Sequence, residues 1–279
     1  MKTTLFLCAI VSTSAIVCME EQEKALTTTT IPRPLSSSTL NQKYDVLGDN
    51  ISGITLTRVS GSDLEIVNAA RVSYGKESFE VRPADAKLIK FLMEHHHTSP
   101  FEHNQLSFRV KAPIFVARQW FRHRMNSFNE ISARYVEVLD EFYVPTQWRS
   151  QDKRNKQASA ESFDNEMLTT KMKESYAQCA ETYKLLLENG VCRELARAVL
   201  PVATYTEFIF TCNLHSFMHF INLRLDAGAQ WEIRKYAKKM LQLALPHFPI
   251  ALKEWTAIHG TKLNLTEDTF TDNFSKTAL

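Results

Sequence analysis

Four arginines crowd the stretch Ala117–Tyr135 (ARQWFRHRMNSFNEISARY): Arg118, Arg122, Arg124 and Arg134, interleaved with Trp120 and Phe121. Guanidinium forks match the paired oxygens of phosphates and carboxylates, and a half-buried one needs an anionic partner. The stretch holds a single carboxylate, Glu130, against those four cations. The interleaved aromatics predict that the segment is half buried, so the spare charge points to an external phosphate or nucleobase. Gln119, His123, Ser127, Asn129 and Ser132 add neutral hydrogen-bonding groups. A solvated basic helix end, steadied by the helix dipole, is the competing reading.

Two further groups could do chemistry. His95, His96, His97 and His103 invite a metal, and with Glu130 they would make a metal-dependent nucleotide hydrolase. Adjacent histidines on a helix diverge, however, and no H-x-x-x-H or C-x-x-C lies nearby. A histidine packed on a planar ligand, or capping a helix end, fits that pattern better. The second group is Asn213–Asp226. Read as helix, it puts Asn213, Phe217, Phe220 and Arg224 on one face and His215 and His219 on the opposite one. Polar groups on both faces, amid Phe208, Phe210, Met218 and Leu223, imply burial on both sides with partners on each. A pair of satisfied core histidines is the alternative. Arg197 and Arg224 are harder to dismiss, because buried arginine is seldom unmatched.

The elements that must position these residues follow from pattern and composition. The chain has 279 residues, 44% hydrophobic and 23% charged, which excludes wholesale disorder. Its 33 basic and 31 acidic residues leave a net charge of +2, which argues against a polynucleotide binder; any anion site is a local concentration of cations. None of the seven glycines forms a G-x-G-x-x-G or Walker A loop. Lys2 and the apolar run Thr3–Met19 read as signal-like, and Thr27–Thr39 as transit-like, so residues 1–45 predict an organelle address, or otherwise a cytoplasmic protein with an extension. Ile54–Ser60 and Gln105–Lys111 alternate as strands, and Arg134–Val138 and Glu141–Val144 are short strand candidates. Asp63–Arg71 is a helix capped by Ser62 or Asp63; Ala84–His96 is another, and Pro113 opens one running to about Arg124. Gln147–Ala160 reads as a polar surface loop. Asp164–Glu188, Arg193–Leu225 (broken at Pro201) and Ala229–His259 read as helices. The expectation is one helix-rich α+β domain with a small antiparallel sheet over residues 46–260, and a polar tail over 261–279.

The same residues carry a family resemblance. Arg122-His123-Arg124, seven residues, then Ser132 resembles the R-H-R-x7-S signature of flavin-dependent thymidylate synthases, the ThyX family. PFEH at Pro100–His103, KAPIFVARQWFRHR at Lys111–Arg124, NE-x-S-x-RY at Asn129–Tyr135, RE-x-AR-x-VLP at Arg193–Pro201 and AQWEI at Ala229–Ile233 are similar to family blocks as well. The resemblance spans roughly Ile54 to Leu252. It implies a homotetramer with active sites at subunit junctions, no metal, no nucleic-acid partner and no stable membrane association. It implies methylation of dUMP to dTMP with carbon from methylenetetrahydrofolate and hydride from FAD, itself reduced by NADPH. Gln119, Arg122, Glu130, Ser132, Arg134, Arg197 and Arg224 match dUMP-contacting positions, with Arg224 the residue that polarises uracil. Ser73, His97, Ser99, Arg122, His123, Arg124, Glu130, Asn213, His215 and His219 match positions at or close to the flavin. Two departures stand out. Gly228 replaces a frequent His, and Ala133 replaces a common Gly after the signature Ser.

Overall fold

Period-two alternation builds the centre of the computed structural model, which describes residues 39–261, 263 and 265. The predicted signal-like run, nearly all of the Ser/Thr-rich stretch and most of the tail lie outside the described residues. Strand β1 (Gly53–Ser60) pairs antiparallel with β2 (Gln105–Pro113), as alternation predicts. A third strand, Tyr205–Asn213, lies antiparallel on the other side of β2, with Phe108 opposite Phe210 and Gln105 opposite Asn213. The short strand β3 (Ser127–Glu130) closes the sheet against it.

That central strand corrects the helix expected over Arg193–Leu225. Only Arg193–Ala196, continued by a 3-10 turn at Arg197–Val199, and Leu214–Arg224 are helical there. The reason is legible afterwards: Phe208, Phe210 and Cys212 alternate inward while Ile209 faces outward, so β-branched and aromatic residues at period two win over helix propensity. Asn213 is the cap of the helix and not part of its face; its Oδ1 accepts from the Ser216 N–H at 2.7 Å.

Four other expectations change. The helix after Pro113 stops at Trp120, so Arg122-His123-Arg124 occupy a turn and Arg118 and Arg122 are not successive helical positions. Arg134–Val138 is not a strand: it starts in a turn, where the Ser132 carbonyl accepts from both Tyr135 and Val136 N–H groups, and runs on as irregular chain. Around Glu141–Val144 there is only an isolated bridge between Phe142 and Thr204. The expected loop Gln147–Ala160 contains most of a hairpin, β4 (Trp148–Gln151) with β5 (Ser159–Phe163).

With β6 naming the strand Tyr205–Asn213, the main sheet order is β1-β2-β6-β3. Around it run α1 (Asp63–Arg71), α2 (Pro83–Glu94), α3 (Ser99–Glu102), α4 (Ile114–Trp120), α5 (Glu166–Glu188), α6 (Arg193–Ala196), α7 (Leu214–Arg224), α8 (Trp231–Ala244) and α9 (Pro249–His259). The expected helix Ala229–His259 is thus two helices. Ser62 caps α1, whereas the buried Asp63 accepts from the N–H groups of Ile250 and Ala251 and so ties α1 to the start of α9. Gly61, at φ +94°, lies where a side chain would collide with Asn104. Trp120 is fully buried against Phe208, Phe210, Phe220 and Tyr236, with ring centroids 4.9–5.7 Å away. This aromatic block welds the end of α4 to β6, α7 and α8, and so fixes where the arginine-rich turn begins. Among the described residues no helix is long and apolar enough to cross a membrane.

Candidate active site

The α4 helix ends one residue before the turn that carries Arg122, His123 and Arg124. The His123 N–H bonds to the Trp120 carbonyl at 3.0 Å, which swings the imidazole inward beside Phe220, centroid to centroid 4.8 Å. His123 is 8% exposed, whereas Arg118, Arg122 and Arg124 are exposed. The expectation of half-buried arginines is therefore corrected: Trp120 is buried and Phe121 half buried, but the turn sends the guanidiniums outward. None of these three meets a carboxylate within ion-pair distance among the described residues.

Arg224, at the end of α7, is held by two neutral acceptors. Its Nε donates to His123 Nε2 at 2.9 Å, and its Nη2 donates to the Gln119 carbonyl at 3.0 Å. Burial, then the charges of Arg224 and His219, pull the His123 pKa down from 6.5 to about 4. The imidazole stays neutral and keeps the lone pair that Arg224 needs. Between pH 6.5 and 4 the unfolded chain therefore binds more protons than the folded one, so stability falls as the pH drops through that window. A full shift of this size corresponds to at most ~3 kcal/mol at ~1.36 kcal/mol per unit. Urea unfolding from about pH 7 to 4.5 should show that slope, and His123→Gln should flatten it. Identical slopes in parent and variant would contradict the assignment.

Three clefts receive the candidate residues. Gln119 and Arg224 line one of about 600 Å³, together with Asn155, Gln157, Asn222 and Gln230. His97, His215 and His219 line a second of about 550 Å³, with Met218 and Trp255, and Asn222 borders both. Glu130 and Arg197 line a third of about 330 Å³ beside Ala133. Glu130 is held there by the Thr206 hydroxyl, which donates to it at 2.6 Å. Arg134 pairs with Glu194 at 3.2 Å on the surface, and Ser132 Oγ accepts from the Arg134 N–H at 3.3 Å. Ser73, Ser99, Arg122 and Arg124 are exposed. The chain thus brings Arg224, Gln119 and His123 together, and separately Glu130 with Arg197, but not all the dUMP-type positions at one place.

The two histidine expectations also shift. α7 buries Phe217, Phe220 and Ile221 on one side, but His219 and Leu223 are exposed and His215 is only half buried. In the α2 cluster, His95 stacks on Phe91 at 4.1 Å, and His96 ends the helix at φ +55°. Among the described residues no three His, Cys, Asp or Glu side chains converge as a metal site. Sequence reasoning missed Asn155, Gln157 and Asn222, whose amides carry no diagnostic spacing. It also missed the brace beneath the hairpin, where Tyr143 Oη donates at 2.9 Å and Arg149 Nη2 at 2.5 Å to Oε1 of the buried Glu232.

A family model described as "Thymidylate synthase complementing protein" matches residues 55–250. A flavin-dependent thymidylate synthase of Thermus thermophilus is 48% identical over 219 residues, covering 77% of this chain and 80% of that protein. One from Thermosipho africanus is 50% identical over 188 residues, covering 66% and 82%. Among solved structures, a UMP/dUMP methylase from Streptomyces cacaoi bound with 5-Br dUMP matches with a TM-score of 0.68 and 38% identity, covering 73% of this chain and 94% of that one. The match to the family model extends from β1 to the start of α9 and takes in every cleft-lining arginine, and on these grounds the chain belongs to the flavin-dependent thymidylate synthase family.

Proposed function

We propose that residues 46–260 form the catalytic domain of an enzyme that methylates dUMP to dTMP, with FAD as its cofactor and methylenetetrahydrofolate and NADPH as co-substrates. The observation that carries this reading is Arg224: a half-buried cation matched by no carboxylate among the described residues and gripped by two neutral acceptors, its charge left for a ligand. The residues fit a flavin dinucleotide. Arg122 and Arg124 offer unpaired guanidiniums for its pyrophosphate, and the His97–His215–His219 cleft, walled by Met218 and Trp255, suits a flat ring. When bound, FAD supplies the hydride, drawn from NADPH, that reduces the transferred methylene carbon to a methyl group on uracil C5. This chain's part is orientation and electrostatics. Arg224 stabilises negative charge that develops on the uracil ring, which makes C5 nucleophilic. Arg197, Arg134, Gln119 and Ser132 orient the nucleotide, and Glu130 takes a hydrogen bond from it. His123, Ser99, Asn213 and Ser73 complete the flavin contacts.

The candidate residues are divided among separate clefts in one chain, and Met125, Ile131, Tyr135, Leu139 and Leu195 stand exposed around the arginine-rich segment. Both features support a homotetramer whose sites are shared at subunit junctions, since large apolar side chains clustered at a surface mark association. Light scattering at four times 32.0 kDa tests that assembly.

Among the described residues we infer no thiol nucleophile for uracil C6. Cys212 is buried in β6, where burial raises its pKa far out of the working range; Cys179 lies on α5 and Cys192 is exposed beside Arg193. Purified protein should be yellow, release FAD on denaturation, and change its absorption spectrum with dUMP. A Cys179, Cys192, Cys212→Ala variant should form dTMP within about tenfold of the parent, ~1.4 kcal/mol of barrier. Colourless protein that FAD cannot reconstitute would sink the reading, as would complete loss of activity in a folded, FAD-loaded triple variant.

A further inference from the structure

The tip of the β4–β5 hairpin reaches the Arg224 cleft as a self-braced turn. Asp152 Oδ1 accepts from the N–H groups of Arg154 and Asn155, both at 2.7 Å, and Asn155 Oδ1 accepts from the Gln157 N–H at 3.0 Å. The Ala158 N–H bonds to the Asn155 carbonyl at 3.0 Å, and Gln151 Nε2 donates to the Ala158 carbonyl at 3.0 Å. Opposite the tip lies Gly228. A Cβ there would come within 3.2 Å of Asn155 Nδ2 and of Asp226 Oδ1, tighter than ordinary contact. A Cβ at 228 would therefore push the Asn155 carboxamide aside by a few tenths of an ångström, and a larger side chain would compete with it for the same space.

The cleft that this arrangement leaves is lined by five carboxamides, those of Gln119, Asn155, Gln157, Asn222 and Gln230, around the Arg224 guanidinium. Asn222 Oδ1 is buried there without a partner among the described residues. The carboxylate of Asp226 is already turned to the Gly228 N–H at 2.8 Å. A carboxamide presents a donor and an acceptor side by side, which matches the adjacent C=O and N–H of a cyclic imide in two parallel hydrogen bonds. Five neutral amides and one cation, with the one carboxylate of the lining, Asp226, turned to a backbone N–H, suit such a ring as it gains negative charge better than they suit an apolar ligand.

We propose that Asn155, admitted by the missing side chain at Gly228, is a ligand-binding residue that hydrogen-bonds the imide edge of a ring seated beside Arg224. The inference rests on the function proposed above for the ring's identity, since both the uracil of dUMP and the isoalloxazine of FAD carry that edge. Asn155 is on an exposed hairpin tip, so Asn155→Ala folds as the parent does, which circular dichroism checks.

The test measures dissociation constants for FAD (by flavin fluorescence) and for 5-Br dUMP (by calorimetry) in the parent, Asn155→Ala, Gly228→Ala and the double variant. Asn155→Ala should weaken one ligand about tenfold, Gly228→Ala should weaken the same ligand by a smaller factor, and the double variant should be no worse than Asn155→Ala, because the Cβ at 228 acts only by displacing Asn155. Weakening of FAD, with a shift in its absorption spectrum, identifies the isoalloxazine edge. Weakening of 5-Br dUMP identifies the uracil edge. Variants that bind both ligands within twofold of a parent that holds FAD and forms dTMP would overturn the role of Asn155 and leave thymidylate synthesis standing. A parent that binds neither ligand would overturn both.

Discussion

Arg224→Ala should cut dTMP formation by about 10²–10³-fold, the loss expected when one preorganised cation or donor is removed from developing charge. The geometry makes the prediction specific. Arg224 meets no carboxylate among the described residues, so alanine leaves no buried anion behind, and His123 and Gln119 lose only a donor. The fold and FAD content should therefore survive, with the loss in kcat exceeding the change in KM for dUMP. Arg224→Lys keeps the charge but replaces the planar fork with a point cation, and should recover part of the rate without restoring the parent value. Steady-state kinetics with flavin content measured in parallel decides it. A folded, FAD-loaded Arg224→Ala enzyme with parental kcat would show that the uracil charge is met elsewhere.

Glu232→Ala should destabilise the protein by about 3–5 kcal/mol, the range for breaking a buried ion pair from one side. Glu232 is 1% exposed and serves two partners at once, Tyr143 Oη and Arg149 Nη2. Arg149 also lies over the Trp231 ring, 5.1 Å from its centroid. Removing the carboxylate leaves the largely buried Arg149 charge, on β4, without its anion and with only the Trp231 face against it. At about 2–4 °C per kcal/mol for a domain of this size, the melting temperature should fall by roughly 10 °C. Glu232→Gln keeps the hydrogen bond from Tyr143 and should fall between. Thermal melts of the three proteins are the measurement, and a Glu232→Ala loss under about 1 kcal/mol would remove the brace from this account. The same variant should loosen the hairpin tip that holds Asn155, because β4 is anchored to α8 through this carboxylate.

Much was legible from residue order alone. The strands β1 and β2 followed from alternation, α1 from its Ser62 cap, and α2 and α5 from their helical pattern, while the chemistry came from the family resemblance carried by Arg122-His123-Arg124 with Ser132. These are features of near neighbours: a cap, a period or a turn is satisfied within a few residues, so it can be read without knowing what lies across the core. β6 was misread because its Tyr205–Asn213 run sits between two helices, and its alternation acquires meaning only when β2 and β3 pair with it. The stop of α4 at Trp120 was equally hidden, since it is set by four aromatic rings from β6, α7 and α8 closing around the indole.

For the site, the sequence by itself determined which cations are present, that Glu130 alone could not match them, and that a glycine loop does not bind the nucleotide. Only the tertiary structure decided what each cation faces. It half-buried Arg224 between His123 and the Gln119 carbonyl, about a hundred residues away along the chain, and turned Arg122 and Arg124 to the surface. It also brought Asn155 over Gly228. Residue type fixes a side chain's charge and hydrogen-bonding capacity, which are local properties. Desolvation, and the partner that offsets it, depend on which distant segments pack together, and a linear pattern does not contain that information.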